Sequence, residues 1–191
     1  MKKLVLALIC FSFNAWAVDN SITIDQVGDN NTISITQDGS AHSVSLTLGK
    51  TSSADNTNIN IVQQGTGAKT ATIEIPSGIN NGVVLFQDGV GNHTANIQNL
   101  NGSANNIGIT QTGAGTHSMT ITGGTSTVNS NNTVDVTQSG GAGADKTFNL
   151  WLNGATGAGV TVQQTNPSQA NQGGMNIQCN PCGSGWSYIR N

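Results

Sequence analysis

The side chains that could act in chemistry are few, and one basic set recurs at regular intervals. Three histidines and two lysines lie 24 to 29 residues apart, namely His42, Lys69, His93, His117 and Lys146. Imidazole changes its charge near neutral pH and also binds metals, but this set offers too few ligands for a metal site. We expect the set to lie at a solvated position where strands begin. The alternative hypothesis is a basic stripe whose protonated histidines repel one another and make association between copies pH-sensitive.

Two cysteines near the C-terminus form the second group of reactive side chains. Cys179 and Cys182 are separated by Asn-Pro, a spacing that also occurs in redox and zinc sites. A redox motif requires a βαβ setting, and zinc requires two further ligands at suitable spacing. Because neither is visible in the sequence, we expect a structural disulfide between these two cysteines.

The remaining polar residues form no catalytic pattern. The sequence contains no Ser/His/Asp order, no phosphate-binding loop and no zinc-binding pair. Asp25, Asp29 and Asp38 fall in turns or at outward positions, where charges discourage unwanted strand pairing. The sequence therefore predicts a protein that is not an enzyme and that uses no cofactor.

The elements that carry these residues are repeated strands. A strong element, Asn-x-Ile-x-Ile-x-Gln-x-Gly or a close variant, begins every 24–27 residues, at 31–39, 57–65, 81–89, 105–113, 132–140 and 158–166. Weaker strands of the same alternation lie between them, at 42–48, 69–75, 93–99, 117–123, 146–152 and 173–179. One more strong copy, 20–28, precedes them all. Alternation with period 2 is typical of strands, and Gly-, Asn- and Ser-rich turns separate these runs.

A fixed repeat of this kind predicts an all-β fold built as a β-solenoid. We expect a cross-β stack of strand–turn–strand repeats with two facing parallel sheets and 24–27 residues per turn. Six two-strand units and one leading strand would fill residues 18–179. With strands about 4.8 Å apart, such a stack is about 30 Å tall.

Stacking the strong elements places identical residues above one another in columns. The predicted core columns are Ile33, Ile35, Ile59, Ile61, Val83, Leu85, Ile107, Ile109, Val134, Val136, Val160 and Val162. The predicted glutamine ladder is Gln26, Gln37, Gln63, Gln87, Gln111, Gln138 and Gln164. Stacked amides can hydrogen-bond to one another, so glutamine and asparagine ladders would fix the register of the strands. The predicted arc glycines, suited to a positive φ or close packing, are Gly28, Gly39, Gly65, Gly89, Gly113 and Gly140.

The two ends of the chain differ from the repeats. Residues 1–17 combine a charged start, an apolar run and an Ala-Trp-Ala cleavage site, a pattern that predicts a secretory signal peptide. The repeats begin at Asn20, so we expect an open N-terminal edge. Residues 180–191 depart from the repeat and form a non-repeat tail, which would act either as a cap or as a docking element.

Composition and charge exclude several classes of protein. Beyond residue 17 the chain has nine carboxylates against Lys50, Lys69, Lys146 and Arg190, a net charge of −5 with neutral histidines. An acidic chain is a poor nucleic-acid binder. No segment has the roughly 20 apolar residues of a membrane span. Charged residues make up 8% of the sequence, against about 25% in ordinary globular domains, so the core must be thin.

The strand repeat resembles the curlin repeat of bacterial curli fibre subunits. The family pattern, Ser-x5-Gln-x-Gly-x2-Asn-x-Ala-x3-Gln, is matched by Gln26, Gly28, Asn31 and Gln37, with Asn20 for the Ser and Ile33 for the Ala. The units are longer than typical curlin repeats, and the second Gln is mostly missing from the weak strands. The resemblance implies a secreted subunit that forms extracellular amyloid fibres in the biofilm matrix and contributes to adhesion. It also implies a nucleator subunit, periplasmic chaperones and an outer-membrane secretion channel as partners.

The sequence thus predicts a homopolymer that assembles end to end into a curli-like fibre on the cell surface. Two alternatives stay open. The first is a capped, monomeric β-solenoid that acts as a surface or matrix binding module. The second is a minor nucleating subunit of such a fibre.

Overall fold

The computed structural model describes residues 19–49, 53–98, 101–123, 128–168 and 175–179, together with the backbone of 186–190. The predicted signal peptide and Cys182 lie outside these residues. All regular elements in the described part of the chain are strands, and none of these residues forms a helix that could cross a membrane.

Most strands belong to two seven-stranded parallel sheets. Sheet A contains, in spatial order, β1 (Ser21–Thr23), β3 (His42–Leu46), β6 (Lys69–Ile73), β9 (His93–Ile97), β11 (His117–Gly123), β13 (Lys146–Leu152) and β15 (Met175–Cys179). Sheet B contains β2 (Thr32–Gly39), β5 (Asn58–Gly65), β8 (Gly82–Asp88), β10 (Asn106–Gly113), β12 (Thr133–Gly140), β14 (Gly159–Gln164) and β16 (Trp186–Arg190). The order in space follows the order in the chain. The predicted all-β solenoid, with two parallel sheets and about six turns, is confirmed.

The core lies between the two sheets and follows the period-2 alternation of the strands. In β5, for example, Ile59 and Ile61 are buried while Asn58 and Asn60 are exposed. Val44, Ile73 and the equivalent residues of sheet A close the core from the other side. In-register pairing of each strand with the next strand of its sheet keeps apolar residues in contact with apolar residues along the stack.

The weak strands are shorter than predicted in the first two turns. We predicted strands that reach residues 48 and 75, whereas β3 ends at Leu46 and β6 ends at Ile73. The reason is a change of backbone direction, since Leu48 has a φ of 88° and Ile75 a φ of 80°. Such angles are unfavourable for bulky L-residues, and both side chains are completely buried, which offsets the cost.

Three strands were not predicted. The two-residue strands β4 (Ala54–Asp55) and β7 (Gly78–Ile79) pair where the chain returns from sheet A to sheet B. Runs of two residues are too short to show a period. The third, β16, lies in the tail that was predicted to be free of repeats, and it pairs in parallel with β14. The tail therefore extends sheet B by one strand.

Candidate assembly interface

Glutamine side chains of sheet B form a continuous ladder along the stack. The strand pairings place the ladder residues at one register position, and the Nε2 atom of each donates to the Oε1 atom of the next at 2.8–2.9 Å. The residues joined in this way are Gln37, Gln63, Gln87, Gln111, Gln138 and Gln164. All except the half-buried Gln37 are buried. A buried amide is costly when unpaired, so a shift of register by one strand position would be unfavourable.

The direction of the ladder is fixed by a second set of hydrogen bonds. Each Nε2 atom also approaches a backbone carbonyl oxygen of sheet A, as in Gln63 to Ser43 at 3.1 Å and Gln111 to Thr94 at 2.9 Å. A carbonyl oxygen only accepts, so the amide nitrogen must be the atom on that side. The second N–H of each amide consequently points along the stack towards the C-terminal end.

Gln26, predicted as the first member of the ladder, lies outside it. Its side chain is exposed, and its Nε2 atom lies 3.4 Å from the carbonyl oxygen of Gly28. The prediction was wrong because the chain alternates between the sheets, so the strand preceding β2 must belong to sheet A. Ile22 in β1 is accordingly in register with Val44 of sheet A and does not stack on Ile33.

A second amide ladder runs along the residue that precedes each strand of sheet B. Asn105 Nδ2 donates to Asn81 Oδ1 at 3.0 Å, and Asn132 Nδ2 donates to Asn105 Oδ1 at 3.0 Å. These three side chains are buried. Thr57 interrupts the series, although its backbone N–H still donates to Asn31 Oδ1 at 2.8 Å. The N–H donors of this ladder point towards the N-terminal end of the stack, whereas those of the glutamine ladder point towards the C-terminal end.

The predicted core columns occupy two register positions in sheet B. Residues from Ile59 to Val162 in these columns are at most 2% exposed. Ile33 and Ile35 in β2 are only half-buried, because no strand lies beyond β2 in the described structure.

The glycines that follow the ladder residues in sequence lie where each strand of sheet B turns towards the next strand of sheet A. They allow these tight turns, or arcs, to approach closely from one turn of the solenoid to the next. Gly39, Gly65, Gly89 and Gly113 have φ between 92° and 131°. A Cβ atom at Gly89 would overlap with the carbonyl oxygen of Gly113. At the two ends of the predicted series, Gly28 packs against Ala54, while Gly140 packs against Ala144 and has no positive φ.

The basic column is buried, which overturns our expectation of a solvated position. Each of its five side chains is at most 2% exposed, and the strand pairings place them in one register. The reason is the tight arc that precedes each weak strand, because its carbonyl groups need donors inside the stack. Lys69 Nζ donates to the carbonyl oxygens of Gly67, Gly89 and Gly91 at 2.8–2.9 Å. His93 Nε2 donates to the carbonyl oxygen of Asp88 at 2.8 Å.

Burial makes the histidines weak bases. Desolvation lowers the pKa of His93 to about 4, with a further contribution from the charges of His117 and Lys69. Desolvation likewise lowers the pKa of His42 and of His117. The rings of His93 and His117 stack with centroids 4.9 Å apart. Among the described residues their Nδ1 atoms have no hydrogen-bond partner, so a proton added there would lack an acceptor.

Both ends of the stack present strand edges and incompletely covered core residues. At the N-terminal end, β1 and β2 are the outermost strands, and β15 and β16 are outermost at the other end. Ile33 and Ile35 at one end, and Met175 and Ile177 at the other, are half-buried, whereas their counterparts in the inner turns are buried. An edge strand of this kind is a template for a further strand.

Cys179 closes the described part of sheet A. It is buried and disulfide-bonded. Because Cys182 lies outside the described residues, the pairing of these two cysteines stays a prediction. Sequence reasoning did not identify β16 as part of the interface, although the alternation of Trp186, Tyr188 and Arg190 with smaller or polar residues was a signal for it.

Comparison with known proteins gives one match. Residues 19–47, which include β1, β2 and β3, match the model of the curlin associated repeat. No curated protein and no solved structure matches the chain significantly. The match confirms the resemblance to curlin repeats, and together with the β-solenoid fold it fits a structural protein of the curli type.

Proposed function

We propose that the chain is the structural subunit of an extracellular, curli-like amyloid fibre that grows by end-to-end stacking of solenoids. The observation that carries this proposal is the state of the two ends. Half-exposed core residues, Ile33 and Ile35 at one end and Met175 and Ile177 at the other, lie on strands with a free edge. Burying them against a second copy is favourable, and repetition of the same contact produces a fibre.

The strand order supports stacking in one orientation. The first described strand, β1, belongs to sheet A and the last, β16, belongs to sheet B. A second copy placed beyond β15 and β16 therefore continues both sheets in the same alternation and with parallel strands. The added β1 lies on β15 and the added β2 lies on β16.

The parallel pairing of β16 favours docking over capping. A capping segment covers the outermost strand, whereas β16 is itself the outermost strand of sheet B among the described residues. The match to the curlin repeat further supports secretion and a matrix or adhesive role. In this proposal the signal peptide of residues 1–17 is removed, and export proceeds with the chaperones and secretion channel typical of such fibres.

Electron microscopy of the purified chain from residue 18 onwards, at micromolar concentration in physiological buffer, tests the proposal. We expect unbranched fibres without prior denaturation, and diffraction with a repeat of about 4.7–4.8 Å along the fibre. A β-rich protein that stays monomeric would contradict the proposal and favour a binding module. Fibres that form only with a second subunit, with this chain at one end, would favour a nucleator.

A further inference from the structure

We infer that sheet A sets the register between stacked copies. In this register Met175 and Ile177 of one copy lie beside Ile22 and Ile24 of the next, and polar side chains on either side of these isoleucines exclude shifted registers. The inference rests on the proposed function, since it concerns the contact between two copies in the fibre. End-to-end stacking alone leaves this register open, because a strand can slide along its neighbour by two residues without turning its side chains to the other face.

The C-terminal edge of the described sheet A carries two incompletely covered apolar side chains. Met175 and Ile177 of β15 are half-buried, with the exposed Asn176 between them. In the preceding turn their register partners are Phe148 and Leu150, which are buried. An apolar side chain on a following strand at each of these two positions would complete the core.

The N-terminal edge offers two isoleucines at the same two positions. Because β1 pairs in register with β3, the half-buried Ile22 occupies the column of Val44, which is also the column of Met175. Ile24 follows two residues later and is 39% exposed. A second copy that continues these columns places Met175 beside Ile22 and Ile177 beside Ile24, so four partly exposed apolar side chains cover one another.

A polar residue on the N-terminal side of the isoleucines opposes one of the two-residue shifts. In that shift Met175 lies beside Asn20 of the next copy. The Asn20 amide is bound to its own chain, because Nδ2 donates to the carbonyl oxygen of Gly39 at 3.2 Å and Oδ1 accepts from the backbone N–H of His42 at 2.9 Å. Met175 would then cover a polar amide instead of an apolar side chain, which is unfavourable.

The opposite shift is opposed by the end of β1 and by Gln26. This shift moves every residue of β15 beyond Thr23, where β1 ends, and places Ile177 beside Gln26. The Gln26 side chain is exposed, and its Nε2 atom lies 3.4 Å from the carbonyl oxygen of Gly28. Only the unshifted register therefore covers both apolar side chains of β15 with apolar side chains.

Cysteine cross-linking of assembled fibres measures the register. Asn176 is exposed on β15, and in the inferred register it lies beside the exposed Thr23 of the next copy. The two shifted registers place it beside Ser21 or Asp25 instead, which are also exposed. Paired Cα atoms on neighbouring strands are about 4.8 Å apart, within the range of a disulfide, whereas a two-residue displacement separates them by about 8 Å, beyond that range. Each of Thr23→Cys, Ser21→Cys and Asp25→Cys is therefore combined with Asn176→Cys.

Mild oxidation of the fibres should cross-link only one of the three pairs efficiently. We expect Thr23→Cys with Asn176→Cys to give a ladder of covalent multimers in non-reducing electrophoresis, with a yield at least about tenfold above that of the other two pairs. Asn176→Cys alone is the control, because one added cysteine per copy can join two copies but no more.

The other outcomes separate the register from the fibre itself. A higher yield from either shifted pair, or equal yields from all three, would overturn the inferred register. Fibres that form normally but cross-link through none of the pairs would show that β15 does not lie on β1, and would overturn the inference while leaving the fibre intact. Failure of the unaltered chain to form fibres would overturn the proposed function and this inference with it.

Extending the apolar pattern tests the two polar residues. Gln26→Ile and Asn20→Ile each permit one of the shifted registers, and we expect each to raise the yield of the corresponding shifted cysteine pair at least about fivefold. Gln26→Ile changes an exposed side chain, so its effect does not depend on a change in folding. Thr36→Ile, which adds the same side chain on the exposed face of β2, is the control and should leave all yields unchanged. Unchanged yields in both test variants would overturn the role of Asn20 and Gln26 in setting the register.

Discussion

Many of the buried polar residues of this protein are placed so that they form hydrogen bonds with a neighbour in the next turn. In an isolated strand a buried glutamine or lysine would be a liability, since its polar atoms would lose water without gaining partners. Repetition removes the difficulty, because each glutamine between the two ends of the ladder both donates to and accepts from an identical residue. Lys69 shows the same principle with backbone carbonyls. The thin apolar core therefore coexists with an unusually polar interior.

Replacement of a central ladder residue tests this principle. Gln111→Leu would leave the Nε2 atom of Gln87 and the Oε1 atom of Gln138 without their ladder partner. We expect the free energy of unfolding of the monomer to fall by about 2–4 kcal/mol, since two buried groups lose a hydrogen bond. Urea denaturation under non-assembling conditions measures the effect. Gln26→Leu is the matched control, because its side chain is exposed, and a loss as large as that of Gln111→Leu would contradict the ladder's role.

The basic column makes a prediction about acid. The unfolded chain binds a proton at His93 near its ordinary pKa of 6.5, whereas the folded pKa is about 4. The stability contributed by the neutral ring is therefore complete above about pH 6.5 and is lost as the pH falls towards 4. We expect His93→Gln to reduce the slope of unfolding free energy against pH in this window, by up to about 1.4 kcal/mol per pH unit for one proton.

Urea unfolding at a series of pH values between 4 and 8 measures the slope of the unfolding free energy against pH. Thr94→Gln, an exposed position on the same strand, is the control and should leave this slope unchanged. The groups around the ring that contribute to its titration are Lys69, Asp88 and His117. An NMR titration that places the pKa of His93 near 6.5 in the folded protein would contradict the prediction. The histidines thus oppose folding in acid because they are buried, and they do not form the exposed basic stripe of the alternative hypothesis.

At the scale of the strands and arcs, the sequence was informative wherever a side chain repeats. The period-2 columns predicted the pairing of β2 with β5 and of each later pair in sheet B up to β12 with β14, because apolar residues and glutamine recur at fixed positions. The sequence could not show that 20–28 belongs to sheet A, since its residues resemble the strong elements. It could not predict the burial of the basic column either, because the arc carbonyls that bind Lys69 and His93 leave no trace in residue type.

The arcs depend on glycine for two separable reasons, which a pair of variants distinguishes. Gly89 has a φ of 108° and packs against the backbone of Gly113, whereas Gly143 has a φ of 75° with nothing within 4 Å of its Cβ position. We expect Gly143→Ala to lower the unfolding free energy by about 1 kcal/mol, the cost of the backbone angle alone. Gly89→Ala should cost about 3 kcal/mol or more, because the arcs must also separate. Equal losses in thermal or urea unfolding would show that close approach contributes little.

For the whole molecule, the two ends are different surfaces, and this makes the expected contact between copies heterologous. The N-terminal end presents β1 and β2, where Gln37 Oε1 accepts no hydrogen bond from the described residues, and the C-terminal end presents β15 and β16. A contact between different surfaces leaves one of each free after every addition, so it does not close. Pairing of identical ends would instead stop at a dimer.

Blocking one end at a time distinguishes these arrangements. Ile35→Lys places a charge towards the core on the N-terminal edge, and Ile177→Lys does the same on the C-terminal edge, a substitution that prevents strand addition. We expect each variant alone to stay monomeric, because every copy has the same blocked end. The intact end of one copy therefore finds no intact complementary end on another. An equimolar mixture should form dimers and no fibres, since the intact C-terminal end of Ile35→Lys fits the intact N-terminal end of Ile177→Lys. Sedimentation velocity measures these species, and Thr36→Lys, which adds the same charge on the exposed face of β2, should still form fibres. Dimers of either variant alone would mean that identical ends associate, because an intact end would then have found its own kind.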